Sequence, residues 1–208
     1  LEDDPKKAIA HFKNELEKPL TEARINGNLY GLAIASQRDA DYEEAEAILS
    51  QLLEKEPNRL AFQLQMANLQ RKRGHPQQAI DSLADLYHTF PGNQAIAVEY
   101  GKALLDQRDP ELAETASKVL RQQLTTRKND PTLYALYARA ANLAGDEVRS
   151  TEAIAESYYQ RGGTEEAITQ LESLTKRSDL DYYQRARVSA RLMELRIEAS
   201  ESDKPARS

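Results

Sequence analysis

The chain has 208 residues, 40% of them hydrophobic and 30% charged, with a formal net charge of -6 and no cysteine. That length can bury a sizeable core, while the acidic balance excludes a general nucleic-acid binder, which needs a basic footprint. The lack of cysteine excludes disulfides and thiolate chemistry and fits a reducing or an oxidising compartment, and no apolar run approaches the ~20 residues of a membrane-spanning helix.

Only 8 glycines and 8 prolines argue against a loop-rich β fold, and the recurrence of Ala, Leu, Glu, Gln and Arg favours helices throughout. The chain starts at Leu1 without a methionine or signal-like segment. It is therefore expected to be part of a longer one, with any targeting signal elsewhere.

In chain order, the spacing predicts helices over 5–17 and 20–37, with residues 1–26 as a helical lead-in. Leu29, Leu32 and Ala33 then form a stripe at helical spacing. Ala45, Leu49 and Leu52 continue it through a helix over 41–55, and Pro57 closes the unit 27–58. The next unit, 59–92, repeats the plan. Phe62, Met66, Ala67 and Leu69 mark a helix over 58–73, Gly74 stops it, and Pro76 opens a second helix over 76–89. That helix carries Ala79, Ile80, Leu83, Leu86 and Tyr87 on one face. Pro57 and Pro91 stand 34 residues apart, so the unit is helix, turn, helix, proline.

A third unit, 93–130, predicts helices over 93–107 and 109–128, the latter longer than its counterparts. A fourth, 131–161, opens with PTLYALYARAANLAGD, where Tyr134, Tyr137, Ala138 and Ala141 make the stripe and Gly145 ends it. The helix over 147–161 ends in YQRGGTEEAI, an echo of RKRGHPQQAI 88 residues earlier. That separation is one unit of 34, one of 37 and a half-unit of 17. The helix is therefore expected to close one hairpin and open the next, over 147–178. Helices over 164–177 and 179–199 follow, the last with Tyr183, Val188, Leu192 and Leu195 on its inner side as a cap, and residues 200–208 are expected to be a disordered tail.

The small positions Ala33 and Ala45, Ala67 and Ala79, and Gly101 and Ala113 fall where paired helices must approach closely. This 34-residue pattern resembles the tetratricopeptide repeat (TPR), although Leu29, Gln63 and Ala97 stand where a large aromatic is usual. The expected fold is all-α, a TPR-type helical-hairpin solenoid of about eleven helices wound as a right-handed α-α superhelix.

The stretch AIAESYYQRGGTEEAITQLESLTKRSDLDYYQRARVSARLMELR is similar to the end of a bacterial family of HExxH zinc metallopeptidases that carry a TPR tail. The resemblance implies a periplasmic location in a Gram-negative bacterium, and a parent with a zinc protease domain acting in outer-membrane protein assembly and quality control. The tail would bind client proteins, barrel-assembly components or the parent's own protease domain. This sequence has no His-Glu-x-x-His, so no catalytic residue carries over. Zinc is expected only in the absent catalytic domain, and no cofactor or enzymatic activity is expected within these residues.

His11, His75 and His88 have no partner at the spacing a shared metal needs on one helical face. His75 reads as an exposed turn residue, and His88 lies near a helix end. The pairs Glu43-Glu44 and Glu165-Glu166 start helices, and Arg71 to Arg73 end one, which suits the helix dipole. Asp179 and Asp181 read as capping residues rather than cation ligands.

In TPR arrays, the first helices of successive hairpins line a concave face. That geometry assigns Tyr30, Ile34 and Arg38, then Leu64, Asn68, Arg71 and Lys72, then Val98, Lys102 and Asp106 to a partner-binding groove. Arg139 and Asn142 follow, and then Glu152, Glu156 and Tyr159. An asparagine with Lys and Arg nearby resembles the clamp by which some TPRs hold a peptide's C-terminal carboxylate. That match is partial, and a mixed groove for an extended segment or helix of a protein is the expected form. Three functions stay open. The chain is an interaction scaffold, an intramolecular domain gating the protease, or a free-standing cytoplasmic TPR adaptor.

Overall fold

Eleven α-helices follow one another in the computed structural model, which describes residues 4–202. They are α1 (Pro5–Leu16), α2 (Glu22–Arg38), α3 (Tyr42–Lys55), α4 (Leu60–Lys72), α5 (Pro76–Thr89) and α6 (Gln94–Asp106). The rest are α7 (Pro110–Leu124), α8 (Pro131–Leu143), α9 (Glu147–Tyr159), α10 (Thr164–Thr175) and α11 (Tyr182–Ser202). The fold is all-α and TPR-type.

Local chemistry places the boundaries. Proline stands at the first helical position of α1, α5, α7 and α8, where its missing N–H costs nothing. Asp4, Asp41, Asp109, Asp130 and Asp146 each accept a backbone N–H of the helix they precede. At the other ends one turn recurs. The N–H of Asp41, His75, Asp146 and Gly163 donates to the carbonyl five residues back, on Ser36, Gln70, Ala141 and Tyr158, at 2.8–2.9 Å. The residue before each donor is left-handed: Ala40 at φ 65°, Gly74 at 83°, Gly145 at 82° and Gly162 at 85°. This is the Schellman turn, and it closes α2, α4, α8 and α9 alike.

The chain forms two compact units, residues 1–91 and 92–208. In the first, α1 packs on α2, α2 on α3, α3 on α4 and α4 on α5, with a further contact of α2 to α4. Its core gathers Leu32, Ile48, Leu49, Leu52, Phe62 and Leu69 around the alanine positions Ala33 and Ala45. Phe12 of α1 lies over Gly31, where an added Cβ would collide with its ring, so the lead-in helix docks through a missing side chain.

In the second unit, α6 packs on α7 and α8, α7 on α8, α8 on α9, α9 on α10, and α10 on α11. Gly101 lets Leu120 approach to 3.1 Å of where its Cβ would be. The C-terminal core joins Leu171, Leu174 and Leu180 to Val188, Leu192 and Leu195.

The structure moves several expected boundaries. The helix expected over 109–128 stops at Leu124 and is 15 residues long, only one more than α3 or α5. The Thr125 and Thr126 hydroxyls donate to the carbonyls of Gln122 and Gln123, satisfying the last turn before a polar run. The final helix starts at Tyr182 rather than 179. Gln184 N–H donates to Asp181 at 2.7 Å and Asp181 N–H donates to the Gln184 side chain at 3.0 Å, a capping box. Asp179 is no cap and binds Arg177 instead. The helix runs on to Ser202, so residues 200–202 are helical, and the remainder of the expected tail, 203–208, lies outside the described residues. Tyr183 is 79% exposed and does not join Val188, Leu192 and Leu195 in the core.

Candidate partner-binding surfaces

The groove positions of the first unit separate into two groups. Tyr30 is half-buried, its hydroxyl donates to the Ala61 carbonyl at 3.3 Å, and its ring lies 5.3 Å from that of Phe62. Burial raises its phenol above the usual range. This side chain joins α2 to α4 and is packing rather than free surface. Asn68 accepts a hydrogen bond from Gln37 at 3.3 Å, and Gln65 donates to Gln37 at 2.5 Å, so a polar ladder also ties the two helices. Leu64 and Arg71 are half-buried and Lys72 is exposed, all on α4. Ile34 and Arg38 face the other way. They line a hollow of about 250 Å³ with His11 and Phe12 of α1.

In the second unit, Val98 is half-buried, Lys102 pairs with Glu99 at 2.7 Å, and Asp106 lies 3.9 Å from Arg139. Arg139 and Asn142 are exposed and meet Ser150, Ile154, Tyr158 and Arg161 around a hollow of about 490 Å³ between α8 and α9. Ser157, also lining it, donates to the Pro131 carbonyl at 2.9 Å and locks the hairpin.

Glu152, Glu156 and Tyr159 do not belong with Arg139 and Asn142. Arg187 of α11 grips Glu152 with two hydrogen bonds of 2.7 and 2.9 Å, and Arg191 grips Glu156 at 2.6 and 3.0 Å. Arg191 also lies over the Tyr159 ring at 4.8 Å, and the Tyr159 hydroxyl donates to Glu198 at 2.7 Å. By its closing turn α9 resembles α2, α4 and α8, and it packs on both α8 and α10, yet its Glu152 and Glu156 meet the arginines of α11 rather than the hollow that Arg139 and Asn142 line. The face counted as groove is the one α11 covers. The bond to Glu156 is the main cause that holds Arg191 above its ordinary range, and the bond to Glu198 raises the Tyr159 phenol.

A signal for these pairs does exist in the sequence. Glu152 and Glu156 are four apart, and so are Arg187 and Arg191, the spacing at which two helices can match bidentate pairs one turn after another.

Other polar groups take structural roles. Hydrogen bonds from Lys13 at 2.7 Å and Ser36 at 2.6 Å hold the Glu44 carboxyl below the usual range. His75 is exposed beside its turn, and His88 is exposed in the last turn of α5. Among the described residues no group of three or more His, Cys, Asp or Glu side chains is placed to hold a metal ion. No helix among them is long and apolar enough to cross a membrane.

Comparison with known proteins bears on the repeat fold. The tetratricopeptide-repeat family pattern matches residues 28–59 and 61–93, two successive hairpins of the first unit. The beta-barrel assembly-enhancing protease of Escherichia coli (strain K12) is 26% identical over 192 residues, and so is that of Shigella flexneri. In each case the match covers 88% of this chain and 38% of the relative, so the chain spans well under half the length of those proteins.

Among solved structures, the MamA RS-1 double mutant superposes with a TM-score of 0.59 at 20% identity, covering 86% of this chain and 97% of that one. A tetratricopeptide repeat protein from Parabacteroides merdae gives 0.57 at 16% identity, covering 98% and 88%. A thermophilic TPR protein of Thermus thermophilus gives 0.52 at 18% identity, covering 81% and 99%. These likenesses establish the TPR-type fold.

Proposed function

We propose that this chain is a non-catalytic scaffold that binds protein or peptide partners. One observation carries the reading. The α8–α9 hairpin exposes Arg139, Asn142 and Arg161 around a hollow of about 490 Å³ whose wall also includes Ala138, Ile154 and Tyr158, a site of mixed polar and apolar character on a repeat fold built for stacking. Such a site suits backbone and carboxylate groups of a bound segment, because guanidinium and amide donors meet acceptors there. The 26% identity to the beta-barrel assembly-enhancing proteases supports a finer reading. On it the chain is the TPR part of a periplasmic zinc metallopeptidase and holds outer-membrane clients or barrel-assembly components near a protease domain.

A pull-down from periplasmic and outer-membrane extract tests this. It compares the wild-type chain with one variant carrying Asn68→Ala, Arg71→Glu and Lys102→Glu, and another carrying Arg139→Glu and Arg161→Glu. Circular dichroism must first show equal helicity. Recovery of a barrel-assembly component or an unfolded barrel protein by wild type, and its loss with either variant, is the expected result. Equal recovery by all three would move the site off these surfaces, and no partner at all would overturn the scaffold reading.

A second reading is favoured by the outer side of α11, where Tyr182, Tyr183, Met193 and Ile197 are 80%, 79%, 65% and 47% exposed. An apolar face of this kind suits docking against another domain of the same polypeptide, and the chain would then gate the protease. Co-purification of a separately expressed protease domain, lost on Met193→Glu with Ile197→Glu, is the outcome that reading requires.

A further inference from the structure

A second hollow in the C-terminal unit lies on a different face of the α8–α9 hairpin and shares no residue with the one around Arg139. It measures about 420 Å³, and α7, α8, α9 and α11 all contribute to its wall. It exists because α9 opens a new hairpin. The Arg187–Glu152 and Arg191–Glu156 pairs hold α11 over α9, and a recess remains between them and the end of α7.

The floor of the recess is apolar. Leu124, Tyr137, Ala153 and Leu171 line it, and each is more than nine-tenths buried. An apolar side chain entering there would leave water for a preformed surface.

The rim carries one unpaired positive charge among the described residues. Four arginines line the recess against two glutamates, in a chain whose net charge is -6. Arg149 pairs with Asp146, and Arg187 and Arg191 pair with Glu152 and Glu156. Arg121, in the last turn of α7, has no carboxylate partner among the described residues. Nor do the Tyr134 and Tyr137 hydroxyls, which also line the recess, hydrogen-bond to any described residue. Among the described residues, the groups left unanswered are therefore one guanidinium and two phenols over an apolar floor. A basic segment would meet repulsion here, and a purely apolar one would leave Arg121 and two phenols without an acceptor.

We propose that this recess takes an acidic segment of another protein, with an aromatic or aliphatic side chain on Leu171 and Tyr137 and a neighbouring carboxylate on Arg121 and Tyr134. The assignment rests on the scaffold reading but puts a binding site on the side of the hairpin away from Arg139 and Asn142.

Panning a phage library of short random peptides on the full chain tests it. Enriched peptides are expected to set Asp or Glu beside Phe, Tyr or Leu. In fluorescence anisotropy an enriched peptide should bind about tenfold more weakly or worse to Arg121→Glu, and within about twofold of wild type to Arg139→Glu. Arg121 is exposed, so its replacement leaves the fold intact, checked by an unchanged melting curve. Tyr137→Phe keeps the ring and removes only the hydroxyl, and should weaken the same peptide less. Peptides without an acidic bias, peptides held equally by Arg121→Glu, or no enrichment would each overturn the assignment. Enriched peptides lost with Arg139→Glu and kept by Arg121→Glu sink this site and leave the scaffold standing. Failure of both panning and pull-down sinks both.

Discussion

The small residues Ala33, Ala45, Ala79 and Ala113 are fully buried in the helix packing. Because interiors pack at crystal-like density, Ala45→Leu should lower stability by about 1–3 kcal/mol, seen as a lower urea midpoint at unchanged slope. A different residue-scale effect concerns charge. Asp179 accepts from the Arg177 guanidinium at 2.9 and 2.6 Å, and chiefly for that reason its carboxyl falls from 3.8 to about 2. A folded-state pKa below the unfolded one stabilises above about pH 4, and the contribution is lost as pH falls through about 2. Carboxyl NMR titration should place the midpoint of Asp179 there, and Arg177→Met should raise it toward the ordinary aspartate range, with the backbone hydrogen bond still holding it somewhat low. The alanines were legible from spacing alone, since only small side chains satisfy a close helix crossing. The partner of Asp179 was not, because capping and ion pairing make the same demand on sequence.

At the scale of elements, the question is what holds α11. Its inner side buries Val188, Leu192 and Leu195, while Arg187 and Arg191 reach across to α9. The side chains of these pairs are 47% and 20%, then 27% and 21%, exposed, so each pair contributes about 0.5–1 kcal/mol rather than the value of a buried bond. Replacing both arginines by methionine keeps the aliphatic contact and removes the charge. Hydrogen exchange should then speed up in α11 while α6 to α8 stay protected, and added salt should narrow the difference from wild type. The charge-swapped pair Glu156→Arg with Arg191→Glu should recover part of the loss, which a purely steric role of either residue would not allow. Helix existence was legible here, but the orientation of α9 was not. A helix with two neighbours has two buried sides, and the hydrophobic pattern alone does not say which remaining side meets α11.

Over the whole chain, contacts fall into residues 1–91 and 92–208, each with its own core. In a repeat protein each hairpin draws stability from its own packing and its immediate neighbours, so damage stays local. Leu49→Ala removes a fully buried side chain of the first core and should cost about 2–5 kcal/mol. Amide exchange should accelerate in α2 to α4 and remain unchanged in α9 to α11, and a uniform loss of protection would instead mean that the chain unfolds as one body. The sequence by itself determined the eleven helices, their turns and the pairing of small residues, because those follow from contacts between neighbours along the chain. Only the tertiary structure decided which polar residues remain available to a partner. Tyr30, Glu156 and Tyr159 looked free in the sequence and are held by Ala61, Arg191 and Glu198, residues 31 to 39 positions away. Periodicity records that a face is polar, whereas what covers that face depends on helices brought over it from far along the chain.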